Sequence, residues 1–320
     1  MSAGRIVVLG SLILDWPLQL PRSPEVGETL MVQSPGWYAG GKGLNQAVGL
    51  VRQGMVPVTV GQVGNDEPGH FLLDALRAAG LSDRFVAVHP SVRTGTAVPV
   101  LSPSGQYILH VGGANQVIDP DLCARAVAET GAIAYALLQG EVNADANLAM
   151  AYAVRKQGGQ IVLDPAPVAG VTEELLRYAA ILTPNAIELE FLAGHPVPSP
   201  EAARDALSGL FVRLPGLAVG IATLGPQGVV VMTRQEHYHL PARTTRELDA
   251  TAAGDAFNAC LVASLASGVA LYRAARRAVI AGSLACEQLG AVPSLPYRDA
   301  VDAVDGRWDR LKGAEDYGDI

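Results

Sequence analysis

Apolar residues fall in short unbroken runs along this 320-residue chain, and the runs are spaced by segments with helical periodicity. RIVVLGS reads as a strand buried on both faces and closed by a glycine. GKGLNQAVGLVRQG follows with apolar positions at helical spacing and stops at Gly54. PVTVGQVG reads as a strand and GHFLLDALRAAG as a helix ended by Gly80. The alternation returns with IAYALLQGE (strand), ANLAMAYAVRKQGG (helix), QIVLDPAP (strand) and TEELLRYA (helix). AAILTPNAIELEFLAG runs from strand into helix, LAVGIATLG and GVVVMT are strands, and AFNACLVASLASG is an apolar helix. Strands alternating with helices predict an α/β fold of three layers, with a mostly parallel central sheet flanked by helices.

Two regions break this rhythm. From about residue 16 to residue 40 there are prolines, glycines and short extended pieces but no helical period. From Thr94 to Gly113, TGTAVPVLSPSGQYILHVGG predicts a hairpin turning at SPSG. Both are expected to join one small sheet inserted into a single α/β domain, covering the carboxyl ends of the main strands, where open α/β sheets bind ligands. The alternative is a pair of long surface loops. The tail KGAEDYGDI is polar and expected to fray.

Composition narrows the function classes. The chain is 49% hydrophobic and 17% charged, ordinary for a globular protein, and long enough for a large core. Its net charge of −8 argues against a nucleic-acid-binding surface. The six histidines are scattered without zinc-ligand spacing. Cys123, Cys260 and Cys286 are too few and too far apart for a disulfide framework, which predicts a reducing, cytoplasmic location. No signal-peptide pattern and no apolar run of membrane-spanning length is present.

Several segments carry candidate chemistry. GGKG lacks the spacing of a Walker A loop and the Ser or Thr after Lys42, and no GxGxxG opens the first helix, so any phosphate is held another way. LDATAAGDAFNACL places Ala252, Ala253 and Gly254 at a helix head, where small residues let an anion approach free N–H groups aided by the helix dipole. Asp255 would repel a phosphate there unless it takes a proton from an attacking hydroxyl. The plainer reading is a helix start capped by Thr251 or Asp249, with an acidic first turn. YAGGKGLNQAV is a glycine-rich entry to a helix, in which Lys42 and Asn45 offer donors and Asp15 offers an acceptor pair, as a polyol requires. A tight turn with solvated side chains is the alternative. TPNAIELE puts Asn185 and Glu188 on one helix face, able to hold a hydrated Mg²⁺ or simply to form a capping box. TLGPQG alone is a strand–turn–strand.

The order of these segments is more specific than any one of them. GGKGLNQAV, QGE, DPAP, TPNAIELE, TLGPQGV, DATAAGDAFNACL and GAVPSLP together resemble the ribokinase-like sugar kinases of the phosphofructokinase B group, from about Val7 to Pro296. The resemblance implies an ATP-dependent kinase acting on the hydroxymethyl group of a small sugar, ribose first. It implies Asp255 as catalytic base, and the N–H groups of Ala252, Ala253 and Gly254 as an anion hole. Asp15, Gly41, Lys42, Asn45 and Glu141 match sugar-contact positions. Asn185 and Glu188 match the motif acting on Mg²⁺ and the phosphates, and Thr223, Gly225 and Gly228 fall on the nucleotide loop. Asp249 and Thr251, with Ala285, Gln288, Gly290 and Ser294, match a K⁺ site outside the catalytic pocket. The small sheet would act as a lid and pair two subunits in a homodimer.

The chain departs from the family pattern at three places. GSLILD has Ile13 where the family has an Asn that touches the sugar, Leu44 replaces a small alanine, and Val279 stands where His or Asn often faces adenine. Losing an amide that bonds a hydroxyl alters substrate choice, so another sugar such as fructose or a deoxysugar, or a nucleoside, stands beside ribose. A non-catalytic sugar or nucleotide sensor on the same fold would be expected to have lost the base, the anion hole or the NxxE motif, and all three are intact.

Overall fold

The computed structural model describes residues 4–311, so the tail KGAEDYGDI lies outside the described residues. In chain order the strands are β1 (Arg5–Leu9), β2 (Ile13–Asp15), β3 (Leu18–Gln19), β4 (Tyr38–Gly40), β5 (Val58–Gly64), β6 (Phe85–His89), β7 (Gly95–Ser102), β8 (Gly105–Val111), β9 (Ile133–Gln139), β10 (Gln160–Asp164), β11 (Ala179–Leu182), β12 (Val219–Thr223), β13 (Val229–Thr233) and β14 (His237–Leu240). The helices are α1 (Lys42–Arg52), α2 (Glu67–Ala78), α3 (Pro120–Thr130), α4 (Ala144–Lys156), α5 (Glu173–Tyr178), α6 (Ala186–Ala193), α7 (Pro200–Arg213), α8 (Ala253–Ala266), α9 (Leu271–Ala285), α10 (Ala291–Ser294) and α11 (Arg298–Leu311).

The main sheet runs β14-β13-β12-β11-β10-β9-β1-β5-β6. It is parallel from β6 to β12, and the pairings of β13 with β12 and with β14 are antiparallel. Alternation along each strand sends side chains to two cores. Val7 and Leu9 of β1 face a core shared with Leu122, Met150, Leu176, Leu189 and Leu207 from α3 to α7. Ile6 and Val8 face the other, with Leu44, Leu72, Leu261, Ala278 and Val301 from α1, α2, α8, α9 and α11. This is why the strands read as continuous apolar runs rather than alternating ones.

Elements absent from the apolar pattern have a physical reason. In α9, LYRAARRAVIAGSLA, Arg276 and Arg277 are buried, which hides the apolar face. Arg276 Nε donates to Asp305 Oδ1 at 2.8 Å, and Arg277 Nη1 lies 2.6 Å from Asp302 Oδ1. Strand β6 pairs in parallel with β5 at the edge of the sheet. At the opposite end of the chain order, β14 adds an exposed antiparallel rim.

The second sheet has the order β3-β7-β2-β4, with β8 pairing β7 antiparallel across the turn at Pro103 and Ser104. It takes its first strand from Ile13, three residues earlier than the loss of helical period suggests. Asn115, fully buried, ties it down: its Oδ1 accepts from Leu12 N–H and its Nδ2 donates to Leu12 O, both at 3.0 Å. This sheet therefore rises directly from the carboxyl end of β1. There β1 continues to β5 on one side while β9 lies on the other, the reversal of strand order at which open α/β sheets form a crevice. Helix α1 enters that crevice at close range. A Cβ on Gly43 would lie 2.4 Å from the Gly10 carbonyl carbon, so backbone packs on backbone where β1 ends.

Candidate active site

Helix α8 begins without a cap. Its N-cap residue is Ala252, at φ 60° and ψ 10°, and no side chain bonds the first-turn N–H groups. Ala252 is the one non-glycine residue with positive φ among the described residues. Such a conformation costs on the order of 1 kcal/mol and is retained where surroundings enforce it. Thr251 and Asp249, the capping candidates, bond each other instead: Thr251 N–H donates to Asp249 Oδ1 at 2.9 Å. Ala253 N–H donates to Ala250 O at 3.2 Å. That removes Ala253 from the expected set of free donors, while the N–H groups of Ala252, Gly254 and Asp255 have no partner among the described residues. A Cβ on Gly254 would meet nothing within 4 Å, so open space lies over this turn.

Asp255 is buried on that first turn, 4% exposed. Its Oδ2 accepts from Asn45 Nδ2 at 2.9 Å and its Oδ1 from Gln46 Nε2 at 3.1 Å. Lys42 Nζ lies 3.7 Å from Oδ1 and donates to Asp164 Oδ2 at 3.2 Å. Lys42 and Asn45, expected as donors to a ligand, are thus already engaged with carboxylates. Asn45 Oδ1 remains, buried and without a donor. Glu141 closes the N-terminus of α1: its Oε2 accepts from Lys42 N–H at 3.0 Å and from Ser11 Oγ. A carboxylate at a helix N-terminus favourably meets the dipole and a free N–H. Gly41, the N-cap of α1, has φ 92° and no room for a Cβ, which would lie 2.8 Å from Ser11 O.

Negative charge dominates this crevice. Burial raises Asp15 from its usual 3.8 to about 7, and the nearby Glu141 and Asp255 add to the shift. Burial likewise raises Asp164 to about 7; Lys42 pulls it down, while Asp255 and Glu188 push it up. Burial alone would lower Lys42, but Asp164, Asp255, Glu141 and Glu188 together hold it above its usual value. Glu188 is also raised, by burial, against the opposing bonds from Asn185.

The capping box read from TPNAIELE is present. Asn185 Oδ1 accepts from Glu188 N–H at 2.9 Å, and Glu188 Oε2 accepts from Asn185 N–H at 2.8 Å. Glu188 of this pair also acts electrostatically on Lys42 and Asp164, so for it capping and site residence coincide. Asn185 forms a bridge to Thr223, at the start of the β12–β13 turn. Thr223, Gly225 and Gly228 line an open cavity of about 470 Å³ together with Ala253, Gly254, Phe257 and Val279. The uncapped turn of α8 therefore separates a cavity of ligand size from the polar crevice around Asp15.

The six residues read as a cation site come from the loop before α8, the end of α9 and the segment of α10. Asp249 Oδ2 accepts from Gly290 N–H at 2.9 Å, joining the loop before α8 to α10. Burial works against ionisation of Asp249, but the bonds from Thr251 and Gly290 hold it below its usual range. The carbonyl of Ala285 accepts from Gln288 N–H at 3.2 Å, and Ser294 Oγ donates to Ala291 O at 2.8 Å.

Asp164, Gln46 and Gln139 belong to the site although sequence reasoning passed over them as site residues. Asp164 carried a signal, a carboxylate closing the apolar run QIVL. Gln46 and Gln139 carried none, because a lone Gln beside a polar motif reads as solvated surface, whereas both are fully buried.

Residues 3–298 match the pfkB family of carbohydrate kinases. The chain is 31% identical over 297 residues to a ribokinase of Bacillus subtilis, covering 93% of this chain and 98% of that protein. It is 30% identical over 295 residues to a deoxyribokinase of Salmonella typhi, covering 91% and 95%. Among solved structures, Arabidopsis thaliana ribokinase complexed with ribose and ATP superposes with a TM-score of 0.85 at 30% identity, over 94% of this chain and 98% of that one.

The raised carboxyls set a pH dependence. The folded protein keeps protons on Asp15 and Asp164 up to about pH 7, whereas the unfolded chain releases them near 3.8. The native state binds more protons between these limits, so stability contributed by these groups falls as pH rises through about 4 to 7 and then levels. Asp15→Asn is expected to raise the thermal midpoint of the ligand-free protein at pH 8 by at least about 2 °C, and by less at pH 5. Differential scanning calorimetry giving the same difference at both pH values would contradict this.

Proposed function

This chain belongs to the pfkB family of carbohydrate kinases, and we propose that it transfers the γ-phosphoryl group of ATP to the hydroxymethyl oxygen of a small sugar, ribose first. The observation that carries this reading is the placement of Asp255. A buried carboxylate, held by two amide donors, stands on an uncapped helix turn between a 470 Å³ cavity and a polar crevice. In the reaction Asp255 takes the proton of the hydroxymethyl group as its oxygen attacks the γ-phosphorus. The new O–P bond forms as the bond to the leaving β-phosphate oxygen breaks. The N–H groups of Ala252 and Gly254, with the dipole of α8 behind them, meet the charge on the transferring group.

The nucleotide occupies the cavity, with its base against Val279 and Phe257 and its phosphates along Gly225, Gly228 and Gly254. An apolar Val279 offers the base no hydrogen bond, so base selectivity rests on shape. The sugar meets Asp15, Gly41 and Asn45, and a hydroxyl satisfies the unpartnered Asn45 Oδ1. Lys42 and Glu141 border the same space. The crevice sets several carboxylates against one ammonium, so bringing in a triphosphate calls for a cation. Mg²⁺, when bound, would neutralise phosphate charge, and Asn185 and Glu188 would hold it.

Ile13 favours a second reading. It is buried on β2 and shares a sheet face with Asp15 two residues on, so it presents a methyl surface where a polyol would want an amide. A 2-deoxypentose suits that surface, in keeping with the match to a deoxyribokinase. The second sheet serves as a lid, and its strand β8 leaves Tyr107, Ile108, Leu109 and Val111 more than half exposed. Pairing of two lids in a homodimer covers them. Sedimentation velocity returning only monomer at micromolar concentration would contradict the dimer.

A phosphotransfer screen over pentoses, deoxypentoses, hexoses and nucleosides tests the function. Asp255→Asn is expected to lower kcat by ~10²–10⁴-fold with sugar and nucleotide binding still measurable. A variant keeping a tenth of wild-type turnover overturns the base assignment. Ile13→Asn is expected to raise kcat/KM for ribose relative to 2-deoxyribose, and an unchanged ratio removes Ile13 as a determinant of choice.

K⁺ is proposed as an activator held by Asp249 and Thr251 with backbone oxygens of Ala285, Gln288 and Gly290 and the hydroxyl of Ser294. The ionised Asp249 between the α8 loop and Gly290 supports this, since an ion there stiffens the turn carrying the free N–H groups. Replacing K⁺ by tetramethylammonium at constant ionic strength is expected to lower activity several-fold, and Asp249→Ala to abolish the response. Equal wild-type rates in both salts would eliminate the site.

A further inference from the structure

We infer that Gln46 is a positioning residue for phosphoryl transfer, clamping the Asp255 carboxylate and taking its own orientation from Gln139, which touches neither carboxylate. The inference rests on Asp255 acting as the base.

Gln46 is fully buried in α1, beside Asn45. Its Nε2 donates one hydrogen to Asp164 Oδ2 at 3.0 Å and the other to Asp255 Oδ1 at 3.1 Å. Reversing the amide would set Oε1 against two carboxyl oxygens and Nε2 against the Gln139 Nε2 donor. On its other side Oε1 accepts from Gln139 Nε2 at 2.7 Å. Gln139 ends β9, directly opposite Asp164 at the end of β10, and its main-chain carbonyl accepts from Asn147 Nδ2 at 2.8 Å, while its side-chain Oε1 has no donor. A Cβ on Gly10 would lie 2.2 Å from Gln139 Oε1, so the end of β1 is bare where the Gln139 amide lies. Three adjacent strand ends thus define which way one amide faces.

The consequence falls on Asp255. Asn45 and Gln46, adjacent in sequence, hold one carboxylate oxygen each. Two fixed donors set the plane of the carboxylate and so the angle at which its free lone pair meets the sugar hydroxyl. With Gln46 gone, Lys42 at 3.7 Å is the remaining donor on Oδ1 and can draw it toward Asp164. A shift on the order of 1 Å at a reacting group costs about 10²-fold in rate. Substrate contacts are untouched, because Gln46 lies behind the carboxylate and has no exposed surface.

The test uses Gln46→Met and Gln139→Met, which keep volume and remove the amide, alongside Asp255→Asn. Gln46→Met is expected to lower kcat by ~10–100-fold with KM for sugar and ATP within about threefold. Gln139→Met is expected to lower kcat with the same KM pattern. The double variant should lose no more than about threefold beyond the worse single, because both act through one amide. A packing role alone would lower the thermal midpoint and leave kcat in place. Gln46→Met within twofold of wild-type kcat, while Asp255→Asn is inactive, overturns the inference and leaves the base assignment standing. Multiplicative losses in the double variant also overturn it. Full turnover in Asp255→Asn removes the base and this inference with it. Should Gln46→Met fail to fold, Gln139→Met decides, and an unchanged kcat there overturns the relay.

Discussion

Burying a carboxyl group is costly unless donors replace its water. Asp255 is buried, and α1 supplies the replacement through Asn45 and Gln46, with Lys42 one turn earlier on the same face. For α1 to reach that far it must start within contact of β1. The close approach of Gly43 to Gly10 and the positive φ of Gly41 are therefore conditions for the carboxylate, not incidental turn chemistry. Helix α8 must likewise present its first turn bare, which the strained Ala252 and the diversion of Asp249 to Thr251 and Gly290 allow.

The same crowding makes the empty crevice electrostatically uncomfortable. Asp15 and Asp164 are pushed up to about 7, and Lys42 cannot balance every carboxylate around it. Hydroxyls donate to carboxylates, so a bound sugar would relieve this. Carboxyls crowded in this way cost the free protein stability, a common balance where polar groups are preorganised. The second sheet belongs to that balance. Its strand β2 carries both Asp15 and Ile13, so one short strand, pinned by Asn115, brings an acidic and an apolar side chain to the same face.

The family match and the geometry bear on different questions. The match over residues 3–298 and the 0.85 TM-score establish the family and its three-layer frame. They do not say why Ala253 N–H is spent on Ala250, or why Gln46 faces two carboxylates. Those details arise where several strand ends and two helix ends meet, and they distinguish donors available to a ligand from donors consumed in holding the site together.

Much was legible in the chain alone. Apolar runs alternating with helical periods encode a parallel sheet covered on both faces, because each β–α unit specifies its own burial. The order of GGKGLNQAV, TPNAIELE and DATAAGDAFNACL marked Asp255, Asn45, Asn185 and Glu188, since such motifs are local and each carries its own backbone geometry. Helix α9 was hidden because Arg276 and Arg277 are buried on ion pairs to α11, a partner more than twenty residues away. Gln46 and Gln139 were hidden for the same reason: their hydrogen bonds join residues 93 to 209 positions apart. Which polar side chains lose their water, and therefore must find one another, is decided only when β1, β9 and β10 end side by side beneath α1 and α8.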